Sequence, residues 1–215
     1  MKKALAEIIA GVIPCKMARN RWRGLLRYGI LNIIRLQYRL RHDHTAPKYY
    51  LAVCAIAKNE GTYFKEWIEW HHKMGVEKFY IYDNESTDCT REVLDPYIKS
   101  GLVDYLYWPG RKRQLAAYDH CFETHRTEAR WIAVIDLDEF IVPVKDATIP
   151  DFLHRMEKFS SVEINWLVYG SGGAEKREPG GVMERFRCHS LPDNRLNTHV
   201  KSIADPRRVC TMVGC

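Results

Sequence analysis

Three carboxylates directly follow a strongly apolar segment in the middle of the sequence. Residues 131–140 read WIAVIDLDEF, so Asp136, Asp138 and Glu139 stand at the end of a run that is expected to be buried. Carboxylates crowded there repel one another and lose hydration, and a cation among them removes both penalties. Asp136 and Asp138 point to the same side of an extended segment, and their oxygens suit Mg²⁺ or Mn²⁺, which bridge the oxygens of a diphosphate. The motif therefore predicts a divalent cation held against a nucleotide diphosphate.

The segments around this motif alternate between strand and helix patterns. Helical spacing of apolar residues separates the continuous apolar runs, which predict strands at 49–57, 78–83, 102–108 and 131–135. This alternation with short connections favours an α/β fold, namely an open, mostly parallel sheet with helices on both faces.

Polar side chains follow the ends of three of these predicted strands. Asn59 and Glu60 follow the first strand, Asp83 ends the second, and Asp136 and Asp138 follow the fourth. Ligands of such sheets bind at the carboxyl ends of the strands, so these residues are expected to converge on one edge. The sequence contains neither GxGxxG after the first strand nor GxxxxGK[ST], which disfavours a dinucleotide site and a P-loop.

Smaller signals predict where individual elements begin and end. Gly75 is expected to terminate the first helix of the main domain, and Ser86 or Thr87 to cap the second. The segment GVMERFRC at 181–188 is expected to form a further strand.

Positive charge is concentrated at the start of the 215-residue chain. Residues 1–48 contain eleven Lys and Arg against two acidic residues, whereas the rest of the chain contains 22 basic and 25 acidic residues. Arginines and apolar residues recur there in steps of four or eight, which predicts an amphipathic helix. Such an arm can lie on an anionic membrane surface, or it can pack on the protein with its arginines solvated. Nucleic-acid binding is disfavoured because few aromatic residues interleave with the basic ones.

The domain organisation and the compartment follow from similar arguments. We expect a basic arm at 1–48 and a main domain at 49–215. The seven cysteines include no CxxC pair, which favours a reduced, cytosolic chain without structural zinc. The apolar start is short and is interrupted by Glu7, so we expect neither a signal peptide nor a transmembrane helix. The expected location is cytoplasmic, peripheral at the inner face of the membrane.

Four segments, in this order, resemble glycosyltransferase family 92 within the family-2-like GT-A glycosyltransferases. They are CAIAKNE (54–60), EWIEWHHKMGVEKFYIYDNESTDCT (66–90), RQLAAYDHC (113–121) and WIAVIDLDEF (131–140). The resemblance implies a GT-A fold, a nucleotide-sugar donor that is typically a UDP-sugar, a divalent cation that is usually Mn²⁺, and inversion at the anomeric carbon. The expected acceptor is a glycan or a lipid-linked saccharide.

The same resemblance implies roles for individual residues. Asn59 and Glu60 are expected beside the nucleoside and Asp83 facing the base or ribose. Near the diphosphate we expect Arg113 and Gln114, where a helix N-terminus also favours an anion. Asp136 is expected on the ribose or metal side, and Asp138 as the metal ligand. As alternatives, Arg113 is simply solvated and Asp83 caps the following turn.

The acceptor side is less clearly marked. Inversion requires a general base, for which Glu184 and Asp193 are the candidates, with Glu184 preferred. Trp166 and Tyr169 could stack on a sugar, although strand aromatics are more often core.

The sequence also departs from the family pattern. Ala174 stands where family members often have a histidine. In similar proteins another histidine, just beyond the position of Cys215, completes the metal site, and His199 is a poor substitute for it. The chain is therefore expected to be a fragment.

Two other functions compete with a transferase. Haloacid-dehalogenase phosphatases also place Asp-x-Asp after an apolar strand, with the first Asp as nucleophile. However, Phe140 stands where their motif has Thr or Val, and here the motif follows three β/α units. The second alternative is a non-catalytic binder of nucleotide or carbohydrate at the membrane surface.

Overall fold

The computed structural model describes residues 30–176 and 179–209. Most of the predicted basic arm, at 1–29, lies outside the described residues, as do Cys210 and Cys215. The helices are α1 (Ile30–His42), α2 (Gly61–Lys73), α3 (Thr90–Lys99), α4 (Gln114–Thr124), α5 (Ile149–His154) and α6 (Val182–Arg185). The strands are β1 (Tyr49–Ala57), β2 (Lys78–Asp83), β3 (Val103–Tyr107), β4 (Ala129–Val134), β5 (Ser161–Asn165), β6 (Tyr169–Gly170), β7 (Cys188–His189) and β8 (Val200–Ala204). Short 3₁₀ helices span Arg195–Thr198 and Pro206–Arg208.

Six strands form one mixed sheet in the order β3-β2-β1-β4-β8-β5. Strands β1 to β4 are parallel, whereas β8 runs antiparallel to both β4 and β5. Strand β8 follows β5 in the sequence but lies between β4 and β5 in the sheet. Strands β6 and β7 pair separately as a two-stranded sheet. The predicted α/β class with a mostly parallel sheet is confirmed.

Both faces of the sheet are covered by apolar side chains and helices. Along β1, Val53 joins a core that includes residues of α2, α3 and α5, whereas the next residue, Cys54, joins a second core with α4. Cys54 and Cys121 are buried free thiols, as their apolar surroundings in the sequence predict. The sheet is therefore packed on both faces, which fixes the position of its carboxyl edge.

The predicted strand limits hold best in the centre of the sheet. Strands β1 and β2 have the predicted limits, and every residue of β2 is buried. Strand β3 lies at the edge and is shorter than predicted, with Leu106 and Tyr107 exposed. Strand β4 begins at Ala129, two residues before the predicted start.

One helix limit was predicted correctly and another was wrong. Gly75 has a φ of 98° immediately after the C-cap of α2, a conformation that favours glycine. The N-cap position of α3, however, is Cys89, whose side chain makes no capping hydrogen bond, rather than Ser86 or Thr87. Both of those residues instead bond to Asn59, which ties the loop after β2 to the loop after β1.

The strand predicted at 181–188 is also wrong, because its first half forms the short helix α6. The carboxylate of Glu66 in α2 accepts hydrogen bonds from the backbone N–H groups of Val182 at 2.5 Å and Met183 at 3.1 Å. These first-turn N–H groups have no partner within a helix, so Glu66 stabilises the start of α6. This long-range contact is invisible in the local sequence pattern.

Helix α1 is the described end of the basic arm, and it contacts the main domain. Arg39 forms an ion pair with Glu123 of α4, and Asp43 lies 2.8 Å from Arg126. Ile34 and Tyr38 of the same helix are 57% and 63% exposed. Among the described residues, no helix has the length and apolar character needed to cross a bilayer.

Candidate active site

The DLDEF segment at 136–140 forms a loop after β4, and side chains of α2 hold its backbone. Ile135 and Leu137 are buried, so Asp136 and Asp138, which alternate with them, face away from the core. The indole Nε1 of Trp67 donates to the carbonyl oxygens of Asp136 at 3.1 Å and Glu139 at 3.0 Å. Because Trp67 is fully buried, these bonds hold both ends of the carboxylate motif at a defined height above the sheet.

Two further side chains of α2 hold the next turn of this segment. Trp70 Nε1 donates to the carbonyl of Ile141 at 3.1 Å, and the Ile141 N–H donates to His71 Nε2 at 3.1 Å. His71 Nδ1 bonds the carbonyl of Trp67 at 2.8 Å, so the proton of the neutral ring is on Nδ1. Burial lowers the pKa of His71 to about 4, against a smaller opposing effect of this backbone bond. These supporting roles were missed in the sequence, where the same residues show only the spacing of a buried helix face.

A lysine that the sequence analysis did not single out lies among the predicted metal ligands. Lys201 Nζ in β8 is 2.5 Å from Asp136 Oδ2 and 3.2 Å from Glu139 Oε2. Burial by itself lowers the pKa of Lys201, but the hydrogen bonds and charges of Asp136 and Glu139 outweigh it and raise the pKa. The ammonium therefore stays charged and neutralises part of the carboxylate cluster.

The start of α4 reaches the same carboxylate from the other side. Gln114 Nε2 donates to Asp136 Oδ1 at 3.4 Å and to the hydroxyl of Tyr118 at 2.9 Å. Arg113, the N-cap residue of α4, is exposed, and its guanidinium lies 5.1 Å from the ring centre of Trp108. The structure thus brings Gln114 and Asp136 together and leaves Arg113 accessible at the start of the helix.

Glu60 and Asp138 complete the acidic cluster. Burial raises the pKa of Glu60, and the negative charges of Asp138 and Asp136 raise it further. Asp138 is exposed and has no hydrogen-bond partner in the described part of the chain. The cluster therefore has four carboxylates, those of Glu60, Asp136, Asp138 and Glu139, and one ammonium group, that of Lys201, which contacts Asp136 and Glu139. Its formal charge is −3. This excess of hard oxygen ligands fits a divalent cation.

Asn59 and Asp83 have structural partners at this edge of the sheet. Asn59 has a φ of 58°, and its Oδ1 accepts from the N–H of Thr87 at 2.7 Å. Asp83 is buried, and its two oxygens accept hydrogen bonds from the N–H of Ser86 and the hydroxyl of Tyr105. Both residues build the loops around the carboxyl ends of β1 and β2. Their contacts with a nucleoside stay predictions.

Of the residues predicted on the acceptor side, Trp166 lies next to the cluster. Its ring centre is 5.8 Å from Lys201 Nζ and 5.1 Å from the ring of His199. Its indole Nε1 is buried without a hydrogen-bond partner in the described residues. Trp166 therefore packs beside the lysine that contacts the carboxylates, and its backbone N–H donates to the carbonyl of His199 at 2.9 Å.

The other predicted acceptor-side residues lie in different surroundings. Tyr169 is 47% exposed and packs edge-on against His189, and Asp193 is exposed in a loop. Glu184 lines a cavity of about 390 Å³ together with Arg185 and Arg187. No contact between described residues joins Tyr169, Glu184 or Asp193 to the carboxylate cluster, so their roles stay predictions.

Another group of potential metal ligands lies at the opposite, amino-terminal edge of the sheet. Ligand atoms of Asp104, His125 and Glu128 lie within 4.8 Å of one another. Asp104 is already paired with Lys78 at 2.7 Å, and His125 Nδ1 bonds Glu128 at 3.0 Å. These internal pairings account for the cluster without an ion.

Comparison with known proteins identifies the family. The family model of glycosyltransferase family 92 matches residues 49–214. This chain belongs to glycosyltransferase family 92. That membership confirms the resemblance noted from the four sequence segments and argues against the haloacid-dehalogenase phosphatase.

Curated members of family 92 resemble this chain over most of its length. A family 92 protein of Arabidopsis thaliana is 35% identical over 173 residues, which cover 75% of this chain and 30% of that protein. One from Oryza sativa subsp. japonica is 30% identical over 156 residues, covering 70% of this chain and 26% of that protein. The chain thus spans between a quarter and a third of the length of these two relatives. Among solved structures, S. aureus TarS 1–349 in complex with UDP-GlcNAc is 16% identical with a TM-score of 0.43, covering 60% of this chain and 37% of that one.

Proposed function

We propose that this family 92 chain forms the donor site of a metal-dependent, inverting glycosyltransferase. It transfers a sugar from a nucleotide-sugar, of the UDP type, to a glycan or a lipid-linked saccharide. The observation that carries the proposal is the cluster of Glu60, Asp136, Asp138 and Glu139 at the carboxyl edge of the sheet. At the start of α4, Gln114 contacts Asp136 of this cluster, and Arg113 precedes it at the N-cap position.

The residues of the cluster divide into two groups. Asp138 is the accessible carboxylate, and with Glu60 beside it, it would hold Mn²⁺ or Mg²⁺. Bound there, the cation would neutralise the charge that develops on the leaving diphosphate. Asp136 contacts Gln114 and Lys201 in the structure without metal, and we propose it for the ribose or the inner side of the cation. Arg113 adds an accessible positive charge at a helix N-terminus, which favours the diphosphate.

Inversion requires the acceptor hydroxyl oxygen to attack the anomeric carbon while the bond to the nucleoside diphosphate breaks. A general base takes the hydroxyl proton, and Glu184 and Asp193 are the residues we propose for this role. Trp166, next to Lys201, offers an aromatic face to the transferred or accepting sugar. Tyr169, the first residue of β6, is proposed for the same purpose.

The basic arm supports a location at the cytoplasmic face of a membrane. Ile34 and Tyr38 of α1 are exposed, while Arg39 fixes this helix to the main domain. An amphipathic segment held in this way would bring the donor site close to lipid-linked acceptors at an anionic surface.

The first test is a calorimetric titration of UDP into the purified chain, with and without Mn²⁺. We expect UDP to bind only with the metal and Asp138→Asn to lose this binding, because its amide is a much weaker ligand. Asp95→Asn is the matched control, since Asp95 is a partly exposed acid in α3 that pairs with Lys99. UDP binding that ignores both Mn²⁺ and Asp138 would contradict the proposal.

A second assay separates a transferase from a non-catalytic binder. A transferase releases UDP from a UDP-sugar when an acceptor is present, whereas a binder takes up UDP-sugar and releases it unchanged. Because the chain spans a minor part of its relatives, a longer chain that contains these residues is the sample for this assay.

A further inference from the structure

Lys201 contacts the predicted metal-side aspartate, and the proposed function does not say what happens to this contact when a metal binds. The lysine lies in β8, the antiparallel strand that enters the sheet beside β4, and its Nζ reaches the carboxylate motif from there. Strand pairing of β8 does not require this contact between the ammonium group and an aspartate that is expected to face a divalent cation. The contact places two cations, one intrinsic and one bound, in competition for the same oxygen.

We propose that Lys201 is an intrinsic counter-cation that a divalent metal displaces from Asp136. Without metal, the ammonium group holds Asp136 and Glu139 together and limits the repulsion among the four carboxylates. When the metal binds, Asp136 is released toward it, and Lys201 keeps its contact with Glu139. This inference rests on the proposed cation site and concerns how that site is kept in order and how tightly it binds.

The geometry supports an exchange because Lys201 has more than one partner. Asp136 Oδ2 is 2.5 Å from Nζ, Glu139 Oε2 is 3.2 Å away, and the ring of Trp166 is 5.8 Å away. A half-buried ammonium with a single partner would be left uncompensated when that partner turned to a metal, at a large cost. Lys201 can leave Asp136 because its ammonium group still has the carboxylate of Glu139 and the ring of Trp166 beside it.

Glu139 is suited to remain with Lys201. Its Oε2 also accepts the backbone N–H of Asp136 at 3.0 Å, and its carbonyl is held by Trp67. These bonds restrict Glu139, whereas Asp138 has no partner in the described part of the chain. The arrangement therefore separates an inner pair, Glu139 and Lys201, from an outer ligand, Asp138, with Asp136 between them.

The test measures Mn²⁺ affinity without donor, by calorimetry and by the electron paramagnetic resonance signal of free Mn²⁺. Lys201→Met keeps the length of the side chain and removes its charge, so we expect Mn²⁺ to bind about five- to tenfold more tightly. Lys201→Arg keeps the charge and is expected to stay within about twofold of wild type. Lys99→Met is the matched control, because Lys99 forms an exposed pair with Asp95 at 2.5 Å and its loss should leave the affinity unchanged.

Each outcome decides a separate question. Unchanged or weaker Mn²⁺ binding in Lys201→Met, with normal binding by wild type, overturns the role of Lys201 and leaves the cation site intact. If Lys201→Met binds Mn²⁺ and wild type does not, the result supports the proposal, because Lys201 then outcompetes the metal for Asp136. Absence of binding in both chains overturns the cation site and the inference together.

A second measurement uses the wild-type side chain, in case the methionine variant does not fold. Lysines labelled by reductive ¹³C-methylation keep their charge, and the Lys201 signal is assigned by its absence in Lys201→Arg. We expect Mg²⁺, which is diamagnetic, to shift this signal in parallel with its own binding. A Lys201 signal that stays in place while calorimetry shows Mg²⁺ binding would overturn the exchange.

Discussion

His71 is a fully buried polar side chain in the helix that packs beneath the site. Both of its ring nitrogens are used, Nδ1 by the carbonyl of Trp67 and Nε2 by the N–H of Ile141. Its nearest rings belong to Trp67 and Phe140, which carry no charge to stabilise a protonated imidazole. Protonation would break the bond to Ile141 and bury an unpaired charge, so His71 resists it.

This resistance makes the folded state sensitive to acid. Because the pKa of His71 is lowered to about 4, the unfolded chain binds a proton between about pH 6.5 and 4 that the folded chain does not. The contribution of neutral His71 is therefore complete above pH 6.5 and declines as the pH falls, by about 2 kcal/mol at pH 5.

We predict that His71→Gln reduces the free energy of unfolding at pH 7.5 but loses less stability than wild type between pH 7.5 and pH 5. Urea unfolding at both pH values measures the difference. His72→Gln is the matched control, because His72 is exposed and the variant should follow wild type. Equal pH dependence in His71→Gln and wild type would contradict the assignment.

At the level of single residues, the sequence predicted which carboxylates lie together but not which other side chains they contact. Asp136, Asp138 and Glu60 were expected together because the carboxyl ends of parallel strands share an edge, and they lie together there, while their roles stay predictions. Lys201 was missed because β8 is antiparallel and enters the sheet from a distant part of the sequence. No local pattern shows which lysine a carboxylate will meet across 65 residues.

Among the elements, α2 holds the backbone of the carboxylate segment. One of its faces packs in the core, and the polar atoms of Trp67, Trp70 and His71 on that same side bond the backbone from Asp136 to Ile141. The helix therefore contributes apolar burial and backbone hydrogen bonds at once. A substitution that keeps the aromatic ring but removes the indole N–H separates the effect of the hydrogen bond from that of apolar burial.

We predict that Trp67→Phe lowers the free energy of unfolding by about 1–3 kcal/mol and weakens metal-dependent UDP binding. The change keeps an aromatic ring but leaves the carbonyls of Asp136 and Glu139 without their indole donor. Trp70→Phe is the comparison, because it removes the bond to Ile141, beyond the carboxylates, and should affect UDP binding less. Calorimetry and urea unfolding of both variants measure the two effects, and equal UDP affinities in wild type and Trp67→Phe would contradict the prediction.

The elements themselves were predictable where the local pattern and the burial agree. Strands β1 and β2 are buried on both faces, so their continuous apolar runs correspond to their limits. Helix α6 was mistaken for a strand because its start is stabilised by Glu66 of α2, more than a hundred residues earlier in the chain. Helix α3 starts late because Ser86 and Thr87 bond to Asn59 instead of capping the helix.

Across the whole molecule, negative and positive charge lie in different regions. The main domain presents acidic side chains at the carboxyl edge of the sheet, whereas the excess of basic over acidic residues lies in the arm at 1–48. This division suits a protein that binds a cation and a nucleotide at one place and an anionic surface at another.

We predict that deletion of residues 1–29 reduces binding to vesicles containing phosphatidylserine by at least about tenfold, because each Lys or Arg near such a surface contributes about 1 kcal/mol. Co-sedimentation at two salt concentrations measures the effect. The full chain on neutral phosphatidylcholine vesicles is the control and should bind weakly. If the shortened chain binds phosphatidylserine vesicles as well as the full chain does, the arm has no such role.

The position of β8 between β4 and β5 has a consequence for how the protein is made. During synthesis from the N-terminus, β5 leaves the ribosome before the strand that joins it to the sheet, and the edge of β4 stays open until residues 200–204 follow. Pairing over such separations is slow and exposes unpaired strand edges to other chains. The nascent chain therefore carries its acidic motif before it carries Lys201, and the strand that completes the sheet also delivers the charge that balances the site.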